Sequence, residues 1–317
     1  MRVGARGAGF SASTTGRRTV SAGIPGSGAG YQKSWQSGSR GTTRRPAVPV
    51  APAAPPKPGM LAPSYEKAFH KALQRAAAGD SAGALALFRE AAEKDQGDKA
   101  LADDFFAGMF STQAQDDVTA ERFLESVVTS EQGLPDDLMA KYAPDGHVAV
   151  PVTENVAVQV PFGTLAAALI LAEVYQRNGR IDEAIGVLQQ LVAEAGTHPF
   201  LVLSLCDLYA ETEAWDEIVD VAAGVTNEDD VSMQVRLIQA RAFQEQGMNE
   251  AALEAYKDAL RSKKRDPELM KEARCERGKL YLTIGKKAQG RKDLEKVYAD
   301  DAHFRDVADL LSDDAEA

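Results

Sequence analysis

The chain has 317 residues, 44% of them hydrophobic and 26% charged, with a net charge of -11 and two cysteines. That length allows two domains of a soluble globular class, two cysteines cannot build a disulfide framework, and nothing approaches the roughly 18 consecutive apolar residues of a transmembrane helix. The charge is unevenly spread: residues 1–57 hold nine Lys and Arg and no acid, 58–256 hold 12 basic and 33 acidic residues, 257–298 hold 14 and 7, and the last nineteen hold 1 and 7. A basic arm and an acidic body therefore share one chain, and their attraction is screened over about 8 Å at physiological salt.

Residues 1–35 are rich in Gly, Ser, Thr and Arg and lack helical periodicity. The spacing predicts two short strands joined by a turn, GAGFSAST and TVSAGIP around TGRR, and then a Pro25-Gly26-Ser27-Gly28 reversal. A third extended piece ends in Tyr31 and Trp35. Glycine-dense strands pack poorly, so this module is marginal alone. The Gly26-Ser27-Gly28-Ala29-Gly30 run is no phosphate cradle. Tyr31 and Gln32 separate its last glycine from Lys33, and Tyr31 stands where a dinucleotide fingerprint needs its third glycine. STTGRRTVSAGIPGSGAGY resembles the closing half of a short bacterial domain of unknown function that ends in a G-I-P-G-T-G-x-S-Y signature, over about 30 residues. It lacks that signature's threonine and serine. The resemblance implies that Met1 stands inside a longer reading frame, or that the domain has decayed.

Residues 36–63 read as a Pro-rich linker. Seven prolines among Gly, Ala, Ser and Arg favour extended conformations and cannot form a core. Such a composition also suits a ligand for an aromatic groove, but no clean recognition motif flanks it, so a spacer is the favoured reading.

From residue 64 the pattern is helical and repeats. In 165–198, Leu165, Ala168, Leu169, Ala172 and Tyr175 make one buried stripe, Gly179 ends the first helix, Asp182 sits in the first turn of a second, and Ala184, Leu188 and Leu191 form its inner face. A shift of 34 residues carries Tyr175 to Tyr209 and Phe243, and a further 38 reaches Tyr281. The turn position reads Gly179, Glu213, Gly247 and Gly285. The small position three residues before each aromatic reads Ala172, Cys206, Ala240 and Gly278. Two weaker repeats lie upstream. The first has Gly79, Ala84, Phe88 and Ala91, with Arg75 for the aromatic; the second has Gly108, Ala120, Leu124 and Val127, with Ser111 for the aromatic and Gln115 for the glycine. Phe304, Val307, Leu310 and Leu311 predict a closing helix.

This period, aromatic, glycine and A-x3-F-x2-A spacing resembles the tetratricopeptide repeat over about 65–134 and 165–304. The resemblance implies an all-α, right-handed solenoid of about six helix-turn-helix units over 64–317, with a closing helix, a small N-terminal Gly-rich β module and an inserted β-hairpin. It also implies a concave groove lined by the first helix of each unit, which takes extended peptides or partner helices. By register, the groove candidates are Phe69 and Leu73; Phe105 and Met109; Leu169, Glu173 and Gln176; Phe200, Leu203 and Asp207; Leu237, Arg241 and Gln244; and Lys279. The family's clamp of Lys and Asn residues for a partner's terminal carboxylate does not transfer, since Glu173 and Asp207 stand where cations or amides are wanted.

Between the second and third repeats, residues 135–162 form an insertion. Val148, Val150 and Val152 alternate, as do Val156, Val158 and Val160 around Thr153-Glu154-Asn155, which predicts a hairpin with one valine face to cover. Pro151 argues against a central strand. Two readings fit: a hairpin lying on the helices, or a flap over the groove.

The residues name no catalyst. His70, His147, His198 and His303 are scattered without metal-ligand spacing, no G-x-S-x-G turn occurs, and the acidic pairs lack calcium-loop spacing. Cys206, at a helix crossing, reads as a buried thiol suited to a reducing cytoplasm. The sequence therefore points to a non-enzymatic scaffold without cofactor or metal, binding a protein or peptide with apolar side chains and a basic segment. Its own tethered arm is one candidate occupant. The alternative is polyanion binding, to nucleic acid or an anionic surface, through the arm and 257–298, against which the acidic body stands.

Overall fold

Helical periodicity and strand alternation become fourteen helices and six strands in the computed structural model, which describes residues 2–3, 9–12, 17–23, 30–36, 56–94, 101–151 and 157–316. These form two compact units, one of Met1–Pro151 with Ala157–Val187 and the other chiefly of Leu188–Ala317. Each is described in turn.

The first unit begins with an antiparallel sheet in the order β1 (Arg2–Val3), β2 (Gly9–Ala12), β3 (Arg17–Gly23), β4 (Gly30–Gln36). The long pairing runs from Arg17 opposite Gln36 to Gly23 opposite Gly30. β2, β3 and β4 correspond to the three expected extended pieces, and β1 adds a fourth strand. The reversal at 25–28 and most of the Pro-rich linker lie outside the described residues.

Two helix pairs follow, α1 (Ser64–Ala77) with α2 (Ser81–Lys94) and α3 (Leu101–Gln113) with α4 (Asp117–Val128). Next come a short helix α5 (Asp137–Tyr142) and the hairpin β5 (His147–Pro151) and β6 (Ala157–Pro161), then α6 (Thr164–Arg177). α7 (Ile181–Ala195) completes the third pair and runs across the division between the units. The hairpin register sets Val148 opposite Val160 and Val150 opposite Val158. Val148, Val150 and Val160 are buried, so the valine face is covered as its alternation requires. The Thr153–Asn155 turn lies outside the described residues.

The second unit holds α8 (Pro199–Glu211) with α9 (Trp215–Ala222), α10 (Asp230–Glu245) with α11 (Asn249–Ala259), α12 (Pro267–Thr283) with α13 (Lys287–Asp300), and the closing helix α14 (Val307–Glu316). Acidic N-caps start several of these helices. Asp229 and Ser232 form a reciprocal capping box on α10, and the Asp266 carboxylate accepts from Glu268 and Leu269 N–H on α12.

All six pairs turn in the same way. The residues in the left-handed region are Gly79, Gln115, Gly179, Glu213, Gly247 and Gly285, at φ between 56° and 79°. The next amide in each case reaches back five residues: Asp80 to Arg75, Asp116 to Ser111, Arg180 to Tyr175, Ala214 to Tyr209, Met248 to Phe243 and Lys286 to Tyr281, at 2.8–3.0 Å. This is the Schellman closure, which satisfies carbonyls that the helix end leaves open. Backbone closure therefore survives where Arg75 and Ser111 replace the aromatic, and where Gln115 and Glu213 replace the glycine.

Close helix approach explains the small residues. A Cβ on Gly108 would stand 2.6 Å from Leu124 Cγ, and one on Gly290 would stand 2.8 Å from the Gly278 carbonyl oxygen. Ala72, Ala172, Cys206 and Ala240 are buried at the equivalent positions. Burial pushes the Cys206 thiol up to about 12 and the Cys275 thiol up to about 11, so both are protonated at neutral pH.

Candidate functional site

The insertion packs two rings, Tyr142 and Phe162, onto first helices of the first unit. Phe69, Leu73, Phe105, Met109 and Leu169 are all buried. Tyr142 of α5 sets its ring 6.2 Å from Phe69 and 5.5 Å from His70. Its hydroxyl and the Lys141 ammonium both donate to the Glu66 carboxylate, which holds that carboxyl below its usual range, the lysine contact contributing most. Just beyond β6, Phe162 packs 5.4 Å from Phe105 and 5.2 Å from Phe106. Phe106 in turn stacks on Phe88 at 5.0 Å, so the insertion adds its rings to one aromatic core. Asp136 joins the two layers, accepting from Met139 N–H on its own helix at 2.8 Å and from Ala102 N–H of α3 at 3.1 Å.

The residues near the C-terminal end of α6 behave differently. Glu173 and Gln176 on α6 are half-buried, and Arg177 lies 3.8 Å from Glu173 while its other nitrogen donates to Asp117. This leaves only the end of α6 within reach of solvent among the groove candidates of the first unit.

Among the described residues, nothing of this kind lies over α8 and α10 in the second unit. α10 packs beside α8 on one side and α12 on the other, so these first helices present one continuous face. The inward position of the register, Leu203 and Leu237, is buried, Leu237 within a cluster that includes Met233, Tyr256 and Leu269. The outward position reads Asp207, Arg241 and Lys279. Asp207 is half-buried, the Arg241 side chain is 63% exposed, and Lys279 is 31% exposed. Phe200, stacked on His198 with ring centroids 6.0 Å apart, and Gln244 are also half-exposed. Arg241 lies over the Trp215 ring at 5.7 Å and 3.9 Å from Glu245. A cation on an aromatic platform beside carboxylates offers a mixed-charge, partly apolar surface.

At α12 this face closes again. Asp306 pairs with Lys279 at 3.0 Å, Arg305 reaches Glu272 and Glu276 at 2.9 and 2.7 Å, and Lys271 pairs with Asp301 at 3.0 Å. Phe304 and Val307 pack against Cys275, Leu294 and Val297. The closing segment thus commits Lys279 to an internal ion pair, and Arg241 is left as the most exposed of the groove candidates.

Of the fourteen candidates, seven are buried: Phe69, Leu73, Phe105, Met109, Leu169, Leu203 and Leu237. The register locates the face but not its cover. Residues that sequence reasoning passed over are Glu66, Lys141, Tyr142 and Phe162, and the signal was present in Asp136 followed by Leu138, Met139 and Tyr142, an N-cap and one helical stripe. Among the described residues, no group of His, Cys, Asp and Glu side chains gathers as a metal site, and no helix is long and apolar enough to cross a membrane.

Residues 167–199 match the model of the tetratricopeptide repeat. The N-terminal domain of the EccA1 ATPase from the ESX-1 secretion system of Mycobacterium tuberculosis is similar in structure, with a TM-score of 0.53 and 16% identity over 79% of this chain and 89% of that one. A tetratricopeptide repeat protein from Parabacteroides merdae superposes with a TM-score of 0.51 and 17% identity, over 74% and 79%. The C-terminal part of a repeat-containing protein of the same kind from Cytophaga hutchinsonii gives 0.54 and 14%, over 78% and 87%. No curated protein matches the chain by sequence.

Proposed function

We propose that this tetratricopeptide-repeat chain is a non-catalytic scaffold, cytoplasmic in setting, that binds a protein or peptide partner on the first-helix face of its second unit. The observation that carries the reading is the contrast along one register: the outward position is buried at Leu73 and Met109, and opens at Asp207 and Arg241. Phe200 supplies an apolar foothold there, while Asp207, Glu211 and Glu245 favour a basic segment in the partner. The fold supports this use, because stacked helix pairs present an extended surface rather than a catalytic cleft. Two inert thiols suit a reducing compartment.

The polyanion reading is weakened by where the cations of 257–298 point. Lys271, Arg277, Lys279 and Lys286 are held by Asp301, Asp293, Asp306 and Glu250, and Arg265 donates to the Asn227 carbonyl. The remaining exposed cations of the segment are divided: Lys257, Arg261 and Arg291 pair with Glu254, Asp258 and Glu295, while Lys263, Lys264, Lys287, Lys292 and Lys296 are exposed on the loop before α12 and on α13.

The test uses the full chain as bait in native cell extract, alongside the Phe200→Ala/Arg241→Glu double variant, with and without nuclease and at two salt concentrations. The expected result is a protein captured by the wild type, unaffected by nuclease, and lost with the double variant while its melting temperature is unchanged. Capture that survives the double variant removes the proposed face. Capture abolished by nuclease, falling linearly with salt on logarithmic axes, establishes the polyanion reading instead.

A further inference from the structure

We infer that the turn before α1, with the exposed stripe of α1 itself, is a docking surface for an anionic lipid bilayer. Met60 and Leu61 are its inserting tip, and the lysines around them are its headgroup contacts. It stands apart from the partner face of the second unit, and either can fail without the other.

Three observations carry it. Met60 and Leu61 are 93% and 98% exposed, more than any other large hydrophobic side chain among the described residues. They are also held out in a fixed turn. The Ala62 amide donates to the Gly59 carbonyl at 3.0 Å, and the Lys67 ammonium donates to the Met60 carbonyl at 3.0 Å. A turn bonded at its base and bare at its tip keeps two aliphatic side chains in water, at a cost that contact with an apolar phase removes.

The third observation is charge. Residues 1–79 hold twelve Lys and Arg and one acid, Glu66. That acid is buried and takes the Lys141 ammonium, so it does not offset the cations at the surface. On α1, Lys67, Lys71 and Arg75 follow at four-residue steps, all exposed, on the side away from the buried Phe69, Leu73 and Ala76. Lys57 and Lys71 are exposed and enter no ion pair among the described residues.

The two features act together. The cations draw the surface toward anionic headgroups, and burial of the tip retains it there. Neither suffices alone, because salt screens the first and two aliphatic side chains give only marginal retention. Nucleic acid phosphates would engage the lysines and leave Met60 and Leu61 in water. A protein pocket would engage the pair without needing so basic a first quarter of the chain.

The test is co-sedimentation of the full-length, nuclease-treated chain with vesicles of equal parts phosphatidylcholine and phosphatidylglycerol, and with phosphatidylcholine alone. The wild type is expected to bind the mixed vesicles, to weaken as salt rises, and to leave the neutral vesicles unbound. Met60→Ser/Leu61→Ser and, separately, Lys57→Glu/Lys71→Glu are each expected to lower the affinity at least about tenfold. Their melting temperatures stay unchanged, since all four side chains are exposed. No binding to the mixed vesicles overturns the proposal and leaves the exposed pair to a protein pocket. Equal binding by the Met60→Ser/Leu61→Ser chain also overturns it, and shows a purely electrostatic contact that duplex DNA would share. Leu61→Cys gives a second readout, because the native Cys206 and Cys275 are buried. An environment-sensitive dye at that position shifts to the blue on the mixed vesicles, and an unshifted spectrum, with the tip still in water, overturns insertion.

Discussion

The two units run the same local program to opposite ends. Each is made of helix pairs closed by a left-handed residue and a backward hydrogen bond, and each places a Leu or Phe at the inward register position of its first helices. In the first unit that face carries two rings of the insertion, Tyr142 on Phe69 and Phe162 on Phe105 and Phe106. In the second, Leu203 and Leu237, at the positions of Phe69 and Phe105, are buried as well, and the face reaches solvent one turn further on, through Asp207 and Arg241. A repeat therefore sets where the first-helix face lies, and the segments outside the repeats add to what packs on it.

The largest expected effect breaks the comparison if it fails. Phe106→Ala, at the centre of the first unit's aromatic core, is expected to cost about 3–5 kcal/mol by denaturant unfolding, through lost burial and a cavity. Phe200→Ala on the open face is expected to cost about 1 kcal/mol or less. Equal losses at the two sites would mean that the second face is packed as tightly as the first.

A smaller pair of substitutions tests what the units share. Gly179→Ala forces a Cβ into the left-handed region and is expected to lower stability by about 1 kcal/mol, whereas Glu213→Gly relieves that conformation and is expected to raise it by about 0.5–1 kcal/mol. If the two changes shift the unfolding midpoint in the same direction, the turns are not equivalent.

The last prediction concerns pH and sharpens the role of the insertion. The Glu66 carboxyl is held below its usual range by Lys141 first and Tyr142 second. A depressed folded value means that this contact stabilises fully above the unfolded value, about 4.3, and that its contribution is lost as pH falls through the lower folded value. The acid limb of the unfolding curve should therefore be shallower in Glu66→Gln, with the two proteins differing most near neutral pH and converging in acid. Parallel curves would show that Glu66 does not hold α5.

The helix pairs, their turns and the closing helix were legible because period and turn chemistry are local. Gln115 and Glu213 were placed at turns by spacing alone, against their own preference, and both adopt the left-handed conformation. The valine alternation likewise gave the hairpin. What period could not convey was cover. By register Leu203 and Leu237 belong to the groove, yet core packing buries both. Phe69 and Phe105 meet rings more than fifty positions away in sequence, Tyr142 and Phe162, the first of them on α5, which was too short to show a sustained period. The charged end of the face was misjudged for the same reason, since Asp306 and Arg305, beyond the last repeat, take up Lys279 and its neighbours.

The position of the insertion has a practical corollary. It lies between α4 and α6, outside any helix pair, and the six pair turns are too tightly closed to admit extra residues. The connectors between pairs are thus where the chain accepts added length, at a loop-entropy cost of about 0.6 kcal/mol per doubling, provided that anchored residues such as Val225 and Asn227 between α9 and α10 are kept.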